Sequence, residues 1–247
     1  FKIAVGHEAT ANFINYFLLN NEMLISGFIS ISPKFSYNME DYLINRFGKI
    51  KTNTFYYLAS SDNDFSSIEQ RTKKLSENFT AVKNNLIFFE YKKYKNLNHY
   101  NLPIHSVSDG LEHIFASFIP INSTEYESVI SKLKTSPVKY LEKKYENIIN
   151  YYGIDKNILV NDFRAIEKYI KQSKQFNYYK NLSALAVENY PRTILGSYYM
   201  GLFYEKNGNM KKAMHIYRSA YTLLDIEGIT KDELLDRADL ISDDLNY

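Results

Sequence analysis

Four runs of apolar residues, rich in β-branched and aromatic side chains, stand out along the first half of the chain. They cover residues 1–5, 24–31, 54–59 and 86–91. Each run is continuously apolar rather than alternating, which is typical of strands inside a parallel sheet that is covered on both faces. The pattern therefore predicts four buried parallel strands.

Segments with helical periodicity lie between and after these runs. Residues 9–19 follow the first run directly, and residues 66–79 place Leu75 and Phe79 four positions apart on one face. Ser108 or Asp109 can cap a helix that continues to Phe118 and that Pro120 closes. Strands that alternate with helices predict an α/β layer with right-handed crossovers.

The strand signal stops near residue 122, and the remainder of the chain is predicted to be helical. We therefore expect two domains, an α/β domain over residues 1–121 and a helical region over residues 122–247. Within the helical region, one stretch has small and aromatic residues at the spacing of a tetratricopeptide unit: Gly201, Tyr204, Ala213, Tyr217, Ala220 and Asp225. A weaker preceding unit contains Phe163, Ile166, Ala186 and Pro191. The alternative interpretation is an ordinary helical hairpin.

The composition narrows the possible chemistry. The chain has 247 residues, 45% hydrophobic and 23% charged, with a net charge of +2 and no cysteine. Thiolate catalysis, disulfides and cysteine-ligated metals are thereby excluded, and we expect no cofactor. The balanced charge does not favour a nucleic-acid partner, and the basic cluster at Lys92 is interpreted as a solvated strand end. No apolar run approaches the length of a membrane span. Because the sequence starts with a strand-like run at Phe1, we expect it to be the C-terminal part of a longer protein.

The segment Val5-Gly6-His7-Glu8-Ala9-Thr10 joins the first predicted strand to the first helix. This is the position at which an α/β-hydrolase carries its nucleophile elbow, Gly-x-Ser-x-Gly. Here Glu8 takes the place of the nucleophilic serine, and Thr10 takes that of the second glycine. Farther along, Asp62 and Asp64 follow the third strand, and His99 follows the fourth. This is the chain order in which a hydrolase supplies its nucleophile, acid and histidine.

Four stretches together resemble the esterases of the enterochelin-esterase and S-formylglutathione-hydrolase type, which have the α/β-hydrolase fold. Gly6-His7-Glu8 is similar to the Gly-His-Ser elbow, and residues 29–33 are similar to the Ser-Pro ending of the next strand. Residues 62–64 resemble the acid-bearing loop. His99, followed eleven positions later by Gly110-Leu111, is similar to the segment of the catalytic histidine. The resemblance covers residues 1–120, and the tetratricopeptide-like tail resembles an arrangement found in Bacteroidetes members.

The resemblance implies a catalytic set of Glu8, Asp64 and His99. His99 would be the general base and Asp64 the acid that orients it, with Asp62 as the alternative acid. Glu8 cannot form the usual acyl-enzyme, because it has no hydroxyl group. Thr10 and Ala11 replace glycines that make the elbow tight, and we expect the second half of the oxyanion hole to be missing from this chain.

Other candidate residues have structural interpretations that are at least as good. His7 is expected to pack beside the turn, His105 and His113 lack the carboxylate spacing of a metal site, and His215 is expected to face solvent. Ser30 and Ser32 lie at a strand end without elbow geometry, which disfavours them as substitute nucleophiles.

Three functions remain open from the sequence. The favoured one is a non-catalytic or weakly active member that binds a small acyl-ester or siderophore-like ligand in the relic pocket, or a protein on the helical repeat. The alternatives are an active carboxylic-ester hydrolase with a carboxylate nucleophile, and a tetratricopeptide interaction module. A periplasmic or secreted location and a cytoplasmic one are both compatible with the sequence.

Overall fold

The computed structural model describes residues 1–245, which fall into two compact units. The first unit is Phe1–Ala116, and the second begins at Ser117. Within residues 1–245, no helix is both long enough and apolar enough to span a membrane.

The first unit is built on a four-stranded sheet in the order β1-β2-β3-β4, in which every neighbouring pair is parallel. One row of the register runs from Val5 through Ile29 and Tyr57 to Glu90. The prediction of four parallel strands is therefore confirmed. The strands span Ile3–His7, Gly27–Ile31, Thr54–Asn63 and Ile87–Asn98.

Helices cover both faces of this sheet. Successive side chains of a strand point to opposite sides, so a continuously apolar strand has an apolar surface on each face that a helix can bury. Phe28 and Tyr56 are paired across β2 and β3 and belong to a core that includes Leu18 of α1 and Leu75 of α3. On the other face, α4 contacts β2 and β3. These helices are α1 (Ala9–Leu19), α2 (Met39–Phe47), α3 (Ser66–Phe79) and α4 (Leu102–Ile114).

The contact between α4 and the sheet requires a glycine. A Cβ atom added to Gly110 would lie 2.9 Å from Cδ1 of Ile29, so a larger residue would push the helix away from β2. Gly110 therefore allows α4 to lie against the strand that ends beside Ser32.

Several sequence predictions for this unit were wrong in their bounds. Helix α4 begins at Leu102 rather than at Ser108, so neither Ser108 nor Asp109 caps it, and a short 3-10 turn replaces its predicted end at Ala116–Phe118. Pro103 lies in the first turn of α4, where its missing N–H costs no hydrogen bond. Helix α2 was not predicted. Strand β4 continues to Asn98 through the basic cluster, because its pairing with β3 continues there.

The described part of the second unit contains seven α-helices, short 3-10 turns and two isolated bridges. The helices are α5 (Ser123–Ser128), α6 (Pro137–Tyr152), α7 (Val160–Ser173), α8 (Tyr178–Asn189), α9 (Leu195–Lys206), α10 (Met210–Ser219) and α11 (Lys231–Asp244). Gly153 ends α6 in the left-handed conformation, with φ of 68°.

Helices α9 and α10 pack together through a glycine and a tyrosine. A Cβ atom on Gly201 would lie 2.0 Å from the ring of Tyr217, so the two helices approach closely only because residue 201 has no side chain. Ala220 is buried nearby and Tyr204 is half-buried. Helix α10 ends at Ser219, and Ala220–Thr222 follows it as a 3-10 turn.

Candidate active site at the carboxyl edge of the sheet

Four polar residues occupy the same position at the ends of the four strands. Glu8, Ser32, Asp64 and His99 are the first residues after β1, β2, β3 and β4, respectively. Parallel strands present their carboxyl ends at one edge of the sheet, which is the edge where ligands bind in open α/β folds. The strand order therefore brings these four side chains into one neighbourhood.

The turn after β1 is tight. Glu8 has φ of 55° and ψ of −114°, a strained conformation for a residue other than glycine. Gly6 makes room for the turn, because a Cβ atom there would lie 2.6 Å from the backbone of Thr10 and Ala11. The turn is therefore tight although Thr10 and Ala11 stand at the positions of the glycines.

Thr10 stabilises this turn with its hydroxyl group. Its Oγ1 accepts a hydrogen bond from the His7 N–H at 2.9 Å and donates one to the His7 carbonyl at 2.8 Å. The side chain therefore supports the turn from within. A glycine at position 10 could not form these two bonds, since they need the hydroxyl group.

Asp64 and His99 form a hydrogen-bonded pair. The Nδ1 atom of His99 lies 2.8 Å from Oδ1 of Asp64, and both side chains are almost entirely buried. The backbone N–H of Phe65 donates to the same oxygen at 2.8 Å, and the hydroxyl of Ser32 donates to Oδ2. The alternative acid, Asp62, instead accepts a hydrogen bond from the Asn96 N–H and is exposed.

The orientation of the imidazole follows from this pair. A neutral His99 that donates Nδ1–H to Asp64 has its lone pair on Nε2, the tautomer that a general base needs. The Nε2 atom is buried, has no hydrogen-bond partner, and lies 3.7 Å from Oε2 of Glu8. That distance is too long for a hydrogen bond. The structure thus brings Glu8, Asp64 and His99 together.

Glu8 is the accessible member of this set. Its side chain is 42% exposed, and Oε1 lies 3.8 Å from Nζ of Lys34, which is itself largely exposed. At such exposure the ion pair adds little stability. The Glu8 carboxylate therefore lies between solvent and the buried His99.

Three rings contact the imidazole of His99. The centroids of His7, Phe65 and Tyr100 lie 4.4, 4.7 and 5.3 Å from its own. His7 packs beside the turn, and its Nε2 is buried without a partner. Burial lowers the pKa of His7, and the nearby His99 lowers it further. Phe65 and Tyr100 are mostly exposed and form an aromatic rim beside the site.

The remaining candidate residues do not join the site. His105 is exposed on α4, His113 contacts the Glu90 carboxylate at 2.8 Å, and His215 is exposed in the second unit. Ser30 is buried, and its hydroxyl lies beside that of Tyr56. A search of residues 1–245 finds no group of three or more histidine and acidic side chains placed to hold a metal ion.

Ser32 lies at this site, although its place at a strand end disfavours it as a substitute nucleophile. In the structure its hydroxyl is bonded to Asp64 rather than to His99, so it is not placed to be activated by the histidine. The Ser-Pro pair at residues 32–33 was the available signal. The contact between Ser32 and Asp64 depends on the register between β2 and β3, which the sequence does not show.

Comparison with known proteins gives a likeness of fold. No protein-family model and no curated protein matches the chain. A crystal structure of an uncharacterised protein from Capnocytophaga ochracea DSM 7271 aligns with a TM-score of 0.83 and 22% identity over 98% of this chain and 68% of that one. At this identity the similarity extends to the fold alone.

Two further crystal structures align less well. The BES protein from Bacillus cereus gives a TM-score of 0.41 and 21% identity over 45% of this chain and 44% of that one. An IroE-like serine hydrolase from Shewanella oneidensis gives 0.47 and 16% over 74% of this chain and 58% of that one. The chain thus spans about half of each protein, and similarities this low carry no inference about its function.

Proposed function

We propose that the first unit is an esterase-type α/β-hydrolase domain that has lost its nucleophilic hydroxyl and binds, rather than turns over, a small acyl-ester or siderophore-like ligand. The observation that carries this proposal is the position of Glu8. It holds the strained turn after β1, and its carboxylate lies 3.7 Å from Nε2 of His99, where an attacking hydroxyl would have to lie.

The chemistry of a carboxylate supports low activity on acyl esters. Attack by Glu8 on an ester carbonyl would form an anhydride and would have to expel an alkoxide. A carboxylate, whose conjugate acid has a pKa of about 4, is a far better leaving group than an alkoxide, so the adduct returns to substrate. Turnover of simple acyl esters is therefore expected near the uncatalysed rate.

The rest of the site supports retained binding. The Asp64–His99 pair is intact and buried, and Glu8 is accessible beside it. The exposed rings of Phe65 and Tyr100 offer apolar surface next to the same histidine. A small ligand with an apolar group and a polar ester could use both features.

The test is hydrolysis of ethyl acetate and ethyl butyrate, whose leaving group is an alkoxide, followed as released acid with the full-length natural protein. We expect rates near background for the native protein and measurable turnover for Glu8→Ser, with Thr10 retained because its hydroxyl supports the turn. The matched control is Glu8→Ser combined with His99→Gln, which should return to background. Robust turnover by the native protein would contradict the proposal.

A second candidate is an active hydrolase in which Glu8 is the nucleophile. In this mechanism Glu8 attacks the alkyl carbon of the substrate, the alkyl C–O bond breaks, and the substrate's carboxylate leaves, so that an ester forms on Glu8. The approach of Glu8 to His99 favours this candidate, since His99 could activate the water that hydrolyses that ester and frees Glu8. Turnover that is robust in the native protein and lost in Glu8→Gln, while Glu22→Gln at an exposed loop position keeps it, would establish this candidate.

We further propose that the helical region is tetratricopeptide-like and that it binds a protein partner. The close packing of Gly201 against Tyr217, with Ala220 buried beside them, supports this interpretation. With both proposals, the first unit binds a small ligand and the helical region binds a protein partner. A pure interaction module is the remaining alternative, and undetectable binding of acyl-ester analogues to the first unit in calorimetry would favour it.

A further inference from the structure

The sheet holds Ser32 in a fixed position. Its side chain is fully buried, and its backbone N–H donates to the carbonyl of Ala59 at 2.8 Å. It has φ of 44°, a left-handed conformation that serine adopts infrequently. The hydroxyl at the end of β2 is therefore presented to Asp64, at the end of β3, from a fixed position.

The Asp64 carboxylate uses both of its oxygens. Oδ1 accepts from the Phe65 N–H and faces Nδ1 of His99, while Oδ2 accepts from the Ser32 hydroxyl. Since the side chain is inaccessible to bulk solvent, removing the Ser32 hydroxyl would leave Oδ2 buried and without this donor. A buried charged oxygen in that state is costly, and rotation of the carboxylate toward other donors becomes favourable.

We propose that Ser32 is a positioning residue for this site. Its hydrogen bond to Oδ2 fixes the rotation of the Asp64 carboxylate, so that Oδ1 stays on Nδ1 of His99. That in turn holds the ring with the Nε2 lone pair directed toward Glu8. The inference rests on the proposed function, since a fixed tautomer of His99 matters only at a hydrolase-type site.

The experiment measures the tautomer of His99 by NMR and does not depend on turnover. The full chain is labelled with 15N at histidine, and the ring nitrogens and the Nδ1-bonded proton are followed in native protein and variants. Ser32→Gly removes the hydroxyl but suits the positive φ, so it should fold. Ser30→Ala is the matched control, because Ser30 lies on the same strand and is equally buried, with its hydroxyl beside that of Tyr56.

The native protein and Ser30→Ala should each show a downfield Nδ1-bonded proton on His99 and a single tautomer. Asp64→Asn should lose that signal, and Ser32→Gly should lose or broaden it in the same way and show both tautomers. An unchanged His99 signal in folded Ser32→Gly would overturn the proposal.

A second variant covers the case in which Ser32→Gly does not fold. Ser32→Cys keeps a side chain of similar shape with a weak donor, and it should give a weakened His99 signal; an unchanged signal would again overturn the inference. High ester turnover by the native protein would instead overturn the proposed function and leave the tautomer result standing.

Discussion

The imidazole of His7 lies against that of His99, with ring centroids 4.4 Å apart. Two histidines in contact cannot both be charged without mutual repulsion. Burial, followed by this repulsion, lowers the pKa of His7 below the 6.5 of an unperturbed histidine.

We expect the free energy of unfolding to decrease as the pH falls below about 6.5, because of His7. The unfolded chain takes up a proton at His7 near that pH, whereas the folded chain does so only at lower pH, so acid favours unfolding. Denaturant unfolding between pH 7.5 and 5 measures the slope. In His7→Phe the slope should be smaller than in the native protein, whereas His215→Phe, at an exposed position, should leave it unchanged. Equal slopes for native protein and His7→Phe would contradict the prediction.

Gly6→Ala should destabilise the first unit. The added Cβ would lie 2.6 Å from the backbone of Thr10 and Ala11, and backbone atoms cannot move aside without opening the elbow. We expect a loss of about 1–3 kcal/mol in the free energy of unfolding, as for other overpacked sites. Gly48→Ala is the control, because its Cβ would meet nothing nearer than 3.8 Å and its φ is −66°. Similar losses for the two variants would show that the elbow is not the cause.

Glu8→Gly should stabilise the fold, although it removes the carboxylate beside His99. Glycine adopts the positive φ of residue 8 without strain, and strain of this kind costs on the order of 1–3 kcal/mol. Part of that gain is offset by the larger backbone entropy of glycine in the unfolded chain. A net increase in the denaturation midpoint is expected for Glu8→Gly and not for Glu22→Gly, in an exposed loop without positive φ. A lower midpoint for Glu8→Gly would argue against strain at the elbow.

Gly201→Leu should overpack the contact between α9 and α10. Its side chain would occupy the space of the Tyr217 ring, and a cost of about 1–3 kcal/mol is expected. Lys211→Leu, at an exposed position of α10, should change the stability by less than about 0.5 kcal/mol. Chemical denaturation followed by tyrosine fluorescence compares the two, and equal effects would contradict the tetratricopeptide-like packing.

Local pattern determined much of the first unit. Continuous apolar runs specified four parallel strands, and helical periodicity specified α1 and α3 with the bounds that the structure has. These features follow from neighbouring residues along the chain, since a buried strand or an amphipathic helix has a period that any short window contains. The elbow at Glu8 and the position of His99 after a strand were also readable in this way.

The tertiary structure decided the features that depend on strand pairing and on contacts between residues far apart in the chain. The extension of β4 to Asn98 comes from its register with β3, and the choice of Asp64 over Asp62 comes from which side chain turns inward after β3. The hydrogen bond from Ser32 to Asp64 joins two groups that come together only when β2 and β3 align. The sequence alone thus determined which residue types stand at the strand ends, and folding alone decided which of them touch, because contacts between distant residues depend on the register of the whole sheet.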